Sequence, residues 1–254
     1  MTKTVLITGA TSGIGKSCAV KFASNENRLI ITGRRQEKLL SLKNELTEQF
    51  NIEVLDLCFD VQDRIQVEST LSQLKSPWNK IDILINNAGL ALGRDSFEDA
   101  SMEDWETMMQ TNVNGLLYVS KAVLPGMIVR KQGHVINIGS IAGKEVYENG
   151  NVYCASKFAV DAISKSMRID LLKHNIKVTA IHPGAVETEF SIVRYKGDET
   201  KANATYNGFT PLAGDDIANA IFYAAQLPAH VCINELTITC TQQGSATNFY
   251  KNNK

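Results

Sequence analysis

The stretch "NVYCASKFAV" (151–160) sets Tyr153 and Lys157 at i, i+4 in a helical-looking run of mostly small and apolar residues. That spacing brings a phenol and an ammonium onto neighbouring turns of one helix face. Such a pair can move protons. A tyrosine of ordinary pKa ~10 is only about 0.1% ionised near neutral pH, and bringing it to about 7 takes about 4 kcal/mol. An ammonium about 4–5 Å away contributes about 3–4 kcal/mol at an effective dielectric of about 20. Lys157 is therefore expected to supply most of the change. The spacing alone is common, and alone it describes a plain helix-face pair. Ser140, in "INIGSIAG" just past an apolar run, adds a hydroxyl able to donate to a substrate oxygen. Asn112, in "TNVNG" within a helical stretch, is awkward there by propensity.

A second constellation lies at the beginning of the chain. "VLITGATSGIG" ends an apolar strand and opens a helix. Gly9, Gly13 and Gly15 let the backbone turn and approach a pyrophosphate resting on the helix N-terminus. The spacing is G-x-x-x-G-x-G rather than G-x-G-x-x-G, so its place at the start of a βαβ unit carries much of the weight. At the end of the second strand, "TGRRQEK" has Arg34 and Arg35 where an acid would hold the ribose of NAD. Two guanidiniums suit a 2′-phosphate through charge-assisted bidentate bonds, which favours NADP. Asp60, in "CFDV", is either an acceptor for an adenine amino group or the N-cap of the next helix.

These residues need a frame. Apolar runs at 4–8, 28–32, 52–58, 81–86, 134–139 and 176–181 are nearly continuous rather than alternating, as for parallel strands covered on both faces. Segments 38–50, 64–74 and 158–173 carry apolar residues at helical spacing, and 235–240 completes the strands. The order predicts an α/β, Rossmann-type doubly wound parallel sheet, with residues 1–254 as one domain. The polar, irregular stretch 185–213, bounded by Pro183 and Pro211, is expected to be a lid.

The totals exclude several classes. The 254 residues are 44% hydrophobic and 21% charged, with a formal net charge of −1. No basic excess exists to release counterions from nucleic acid. Five scattered cysteines form neither a disulfide framework nor a zinc site, and no metal is expected. No signal peptide or membrane-length run is visible, so a cytoplasmic location is expected. The four histidines lack ligand spacing and are expected to be structural or exposed.

Together, Thr8–Gly15, Asn86–Gly89, Asn112, Ser140, Tyr153/Lys157 and "HPGAVET" (182–188) resemble the single-domain short-chain dehydrogenase/reductases over nearly the whole chain. The resemblance implies Tyr153 as general acid/base, with Lys157 lowering its pKa and holding the nicotinamide ribose. It implies that Ser140 orients the substrate oxygen and that Asn112 holds a relay water. It also implies cofactor contacts from Thr11, Ser12, Ile14, Val61 and Asn87, and from Pro183, Gly184, Val186 and Thr188. A homotetramer is implied as well. More narrowly, "NNAGLALG", "EDWETM", "VLPGM" and "VETEFSIVRYKGDE" resemble the NADP-dependent 3-hydroxy acid dehydrogenases, also described as serine or L-allo-threonine dehydrogenases. A short hydroxy acid substrate follows from that likeness. Arg194 is a candidate for its carboxylate, because a planar fork suits one. Two alternatives stand beside this expectation: a reductase of a thioester, sugar or steroid, and a non-catalytic NADP-binding sensor on the same fold.

Overall fold

The computed structural model describes residues 2–252. In chain order it contains β1 (Thr4–Ile7), α1 (Gly13–Ala23), β2 (Arg28–Gly33), α2 (Gln36–Phe50), β3 (Val54–Cys58) and α3 (Arg64–Ser72). Then follow β4 (Ile83–Asn86), α4 (Met102–Met109), α5 (Leu116–Arg130), β5 (Gly133–Ile138) and α6 (Asn151–Leu171). Last come β6 (Ile176–Pro183), α7 (Glu189–Arg194), α8 (Glu199–Ala204), α9 (Gly214–Gln226) and β7 (Glu235–Ile238).

All seven strands join one parallel sheet in the order β3-β2-β1-β4-β5-β6-β7. The continuous apolar runs follow from burial on both faces. Val5, Ile7, Leu29, Ile31, Ile83 and Ile85 pack under α1, α2 and α9. Their alternates Leu6, Ile30, Leu84 and Val135 face α3, α5 and α6. Each strand thus serves two cores, and a slip of one residue would exchange them.

Strand order reverses between β1 and β4, and an open parallel sheet binds ligands in the crevice at that point. A buried polar seam fixes the sheet there. Asn86 Nδ2 donates to Ser120 Oγ and to Asn137 Oδ1, both at 2.9 Å, and Asn137 Nδ2 donates to Ser164 Oγ at 2.9 Å. This chain of bonds locks β4 and β5 to α5 and α6, the elements that flank Asn112 and Ser140 and carry Tyr153.

Segment 185–213 is more ordered than expected. It contains α7 and α8, N-capped by Thr188 (Oγ1 accepts from Phe190 N, 3.2 Å) and Asp198 (Oδ1 accepts from Lys201 N, 3.0 Å). Helix α6 starts at Asn151, so the helical-looking run 151–160 and the periodic segment 158–173 form one helix and Tyr153 lies in its first turn.

Candidate active site

A cavity of about 840 Å³ opens at the carboxyl ends of the strands. It runs from Arg34, Arg35 and Asp60 at one end to Ser140, Tyr153 and Arg194 at the other. Every expected cofactor and substrate residue lines it except Gly15, and Asn112 also lies behind its wall.

The glycine-rich turn is shaped by close approach. Gly9 has φ +65°, and Gly13 has φ +51°. A Cβ on Gly15 would fall on the Gly9 carbonyl oxygen, so Gly15 serves the packing beneath the turn rather than the cavity surface. Asn87 Nδ2 donates to Thr8 O (2.9 Å) and Gly9 O (3.1 Å), clamping the turn from β4. Its side chain is therefore committed to the loop.

At the far end, Arg35 Nη2 donates to Thr11 Oγ1 (2.8 Å) and Ser12 Oγ (3.0 Å). Its Nη1 pairs with Glu189 Oε2 of α7 at 2.8 Å, and Lys38 Nζ pairs with Glu189 Oε1 at 3.0 Å. Arg34 Nη1 lies 3.5 Å from Asp60 Oδ2. Three cations thus surround the rim where a ribose phosphate would sit. This cradle of glycine turn, helix N-terminus and guanidiniums fits NADP. Asp60 is not the N-cap of α3; Asp63 is, accepting from Gln66 N at 3.0 Å. Asp60 instead faces the cavity and Arg34.

Tyr153 is buried in an apolar pocket with Leu90, Met108, Ala142 and Cys154, its ring 5.7 Å from that of Phe190. Burial, with Tyr147 beside it, pushes the phenol above its ordinary value. The neighbouring Ser140 hydroxyl and the Arg194 guanidinium pull the other way. Lys157 Nζ donates one of its three N–H bonds to Ile138 O at 3.0 Å, and its burial lowers it to about 8.

Ser140 caps a 3-10 turn, Ile141–Gly143, accepting from Ala142 N at 3.1 Å. Asn112 sits in a π-helical turn, Gln110–Gly115, between α4 and α5, a deformation frequent at functional sites. Its Oδ1 accepts from Leu90 N and its Nδ2 donates to Leu90 O, both at 2.8 Å, with Ser156 Oγ at 3.0 Å. The side chain thus holds the cavity wall in place.

Arg194 points into the site. Its guanidinium lies 5.5 Å over the Tyr153 ring and 5.7 Å over the Tyr147 ring, with Nη1 donating to Tyr147 Oη at 3.0 Å and Nε to Gly93 O at 3.3 Å. Tyr147 and Glu189 are the main residues that sequence reasoning missed. "KEVYENG" carries no spacing that would single out Tyr147.

Asp161, His182 and Glu235 bring donor atoms within 4.8 Å of one another. Lys144 Nζ, 2.7 Å from Asp161 Oδ1 and from Glu235 Oε2, already fills the cation's place.

Residues 3–198 match the family model described as short chain dehydrogenase. The NADP-dependent 3-hydroxy acid dehydrogenase of Salmonella typhi is 48% identical over 243 residues, 95% of this chain and 96% of that protein. Sulfoacetaldehyde reductase 2 of Chromohalobacter salexigens is 42% identical over 244 residues, 96% of each. Among solved structures, the closed form of serine dehydrogenase complexed with NADP+ superposes with a TM-score of 0.91 at 46% identity, covering 98% of this chain and 100% of that one. The chain belongs to the short-chain dehydrogenase family. Within it, the chain is similar to enzymes described as 3-hydroxy acid and serine dehydrogenases.

Proposed function

We propose that the chain is an NADP-dependent dehydrogenase that interconverts short 3-hydroxy acids, of the serine, L-allo-threonine or 3-hydroxypropionate type, with their 3-oxo acids or semialdehydes. The observation that carries the reading is Arg194, a cation stacked over Tyr153 in the same cavity as Ser140 and Lys157. It sets an anion beside the group that exchanges the hydroxyl proton. NADP, when bound, supplies or accepts the hydride. Tyr153 takes the proton from the substrate hydroxyl, or returns it, at its phenolic oxygen. Ser140 donates a hydrogen bond to the same substrate oxygen, Lys157 holds the ribose, and Asn112 serves the proton relay. Arg194 binds the carboxylate, with Tyr147 fixing its plane.

The name sulfoacetaldehyde reductase among the relatives supports a small anion as the recognised feature. The protein works as a single domain in the cytoplasm and as a homotetramer. Among the described residues no helix is long and apolar enough to cross a membrane. Exposed Leu117 and Val129 on α5 and Phe158 and Ile169 on α6 offer apolar faces for self-association.

The test is initial-rate nicotinamide reduction with NADP and NAD in parallel. Substrates are L-serine, D-serine, L-allo-threonine, 3-hydroxypropionate, isethionate as a sulfonate, and an uncharged secondary alcohol. Turnover with NADP and the acids but not the alcohol is expected. Equal rates on the alcohol would remove Arg194 from its role. Silence on every compound, with NADPH still bound, would favour the sensor alternative.

A further inference from the structure

His182 lies near the end of β6, beside Ser140, and is fully buried. Its ring packs closely on Gly139, just past β5. A Cβ on Gly139 would meet Nδ1 at 2.5 Å and Cε1 at 2.8 Å. Nδ1 is 3.3 Å from the Ser140 carbonyl oxygen, and Nε2 is 3.5 Å from Asp161 Oδ1. Both neighbours are acceptors. A neutral imidazole has one N–H and one lone pair, so either tautomer turns a lone pair onto an oxygen. In keeping with this, Nε2 makes no hydrogen bond within the described residues. The imidazolium alone can donate at both ends.

The Ser140 carbonyl also accepts from Gly143 N at 2.9 Å, so the turn holds one side of this peptide and His182 the other. We propose that His182 is a positioning residue for Ser140: its Nδ1–H fixes the Ser140 peptide, and a second proton, shared with Asp161, tightens that grip. This rests on the proposed role of Ser140 in orienting the substrate oxygen.

The groups that face His182 decide when the second proton arrives. Asp161 and Lys165 come from α6, Lys144 from the segment after the 3-10 turn, and Glu235 from β7. Burial, then Lys144, pushes His182 below the ordinary histidine value, against Asp161, the Ser140 carbonyl and Glu235. Asp161 stays ionised: burial raises it, but Lys144 and Lys165 hold it below the usual carboxylate range. Proton uptake therefore falls on the acid side of about 6.5.

The first readout needs no substrate. In isotopically labelled wild type, the Ser140 carbonyl 13C and Ile141 amide 15N shifts should titrate with an inflection below about 6.5. In His182→Asn, which keeps a donor near the Nδ1 position but takes up no proton, that inflection should vanish. Shifts that stay flat in wild type, or an inflection that survives in the variant, overturn the proposal. The second readout is kinetic. His182→Leu should lower kcat about five- to tenfold, the worth of one lost hydrogen bond, with NADP affinity held. His182→Asn should recover most of that loss without the acid-side inflection, and Asp161→Asn should move the inflection to lower pH. If His182→Leu does not fold, the Asn variants carry the test. A pH profile of His182→Asn superimposable on wild type also overturns it. If wild type turns over none of the acids, the substrate reading falls and the shift titration decides the positioning role alone.

Discussion

At the scale of single residues the site sets burial against charge. Tyr153 is held neutral by its apolar pocket, with Ser140 and Arg194 the groups that favour its ionised form. Tyr153→Phe keeps the ring and its packing on Phe190 while removing the transferable proton. It should lower kcat by about 10²- to 10⁴-fold, the range for positioned acid–base groups, while NADPH still quenches or shifts the protein fluorescence. Activity within a few-fold of wild type would take Tyr153 out of the proton-transfer role. Arg194 makes a sharper case for geometry. Arg194→Lys preserves the charge but loses the planar fork and the stack between two tyrosines. The KM for carboxylate substrates should rise about tenfold or more, as expected for a lost charged hydrogen bond, with little change for an uncharged alcohol. An equal rise for both would make Arg194 a wall of the cavity and not an anion site.

At the scale of elements, the strands were legible because a two-sided core demands unbroken apolar runs, and Val5-Leu6-Ile7 or Leu29-Ile30-Ile31 has no other use. The glycine turn was legible from its place between the first strand and helix, and the Tyr153/Lys157 pair from its company with Ser140 and Asn112. What sequence could not show was the meeting of distant segments. Arg194 is aimed by Gly93, whose N–H donates to the Arg194 carbonyl at 2.9 Å across a long sequence separation. His182 looked like an unremarkable histidine until β6 was laid beside β5. The short lid helices did leave a signal, the capping Thr188 and Asp198, which the polarity of the segment obscured. Helix α7 also links lid and cofactor rim through Glu189. Burial opposes its ionisation, but Arg35 and Lys38 hold the carboxyl below its ordinary value. A 2′-phosphate would compete for the same two cations. Glu189→Gln should therefore tighten NADP by up to about fivefold, the range of exposed ion pairs, and leave NAD nearly unchanged. Titration of both dinucleotides by fluorescence checks this, and equal changes for the two would show that Glu189 does not oppose the phosphate.

For the whole molecule, the sheet that positions the site also carries a pH liability. His134 on β5 is buried with Nε2 2.7 Å from Thr179 Oγ1 on β6. Thr179 gives its own proton to Ile233 O at 2.6 Å, so His134 donates from Nε2 and is neutral at Nδ1, which has no partner among the described residues. Burial, with Lys177 and Lys3 nearby, lowers His134 to about 3. An unfolded histidine binds its proton below about 6.5. Between those limits the unfolded chain holds more protons than the folded one, so stability rises with pH and is lost as pH falls. His134 contributes at most about 1.4 kcal/mol per pH unit to that loss. Glutamine at this position offers an amide N–H near the place of Nε2 and does not titrate. Urea unfolding of wild type and His134→Gln from pH 7.5 to 4 should therefore give a stability difference that moves steadily toward the variant below about 6.5. His182, also held low by burial and Lys144, destabilises both proteins alike and cancels in that comparison. A difference that is constant across the range would mean that His134 stays neutral in the unfolded chain as well, or is charged in the folded one, and the sheet would owe its acid sensitivity to other groups.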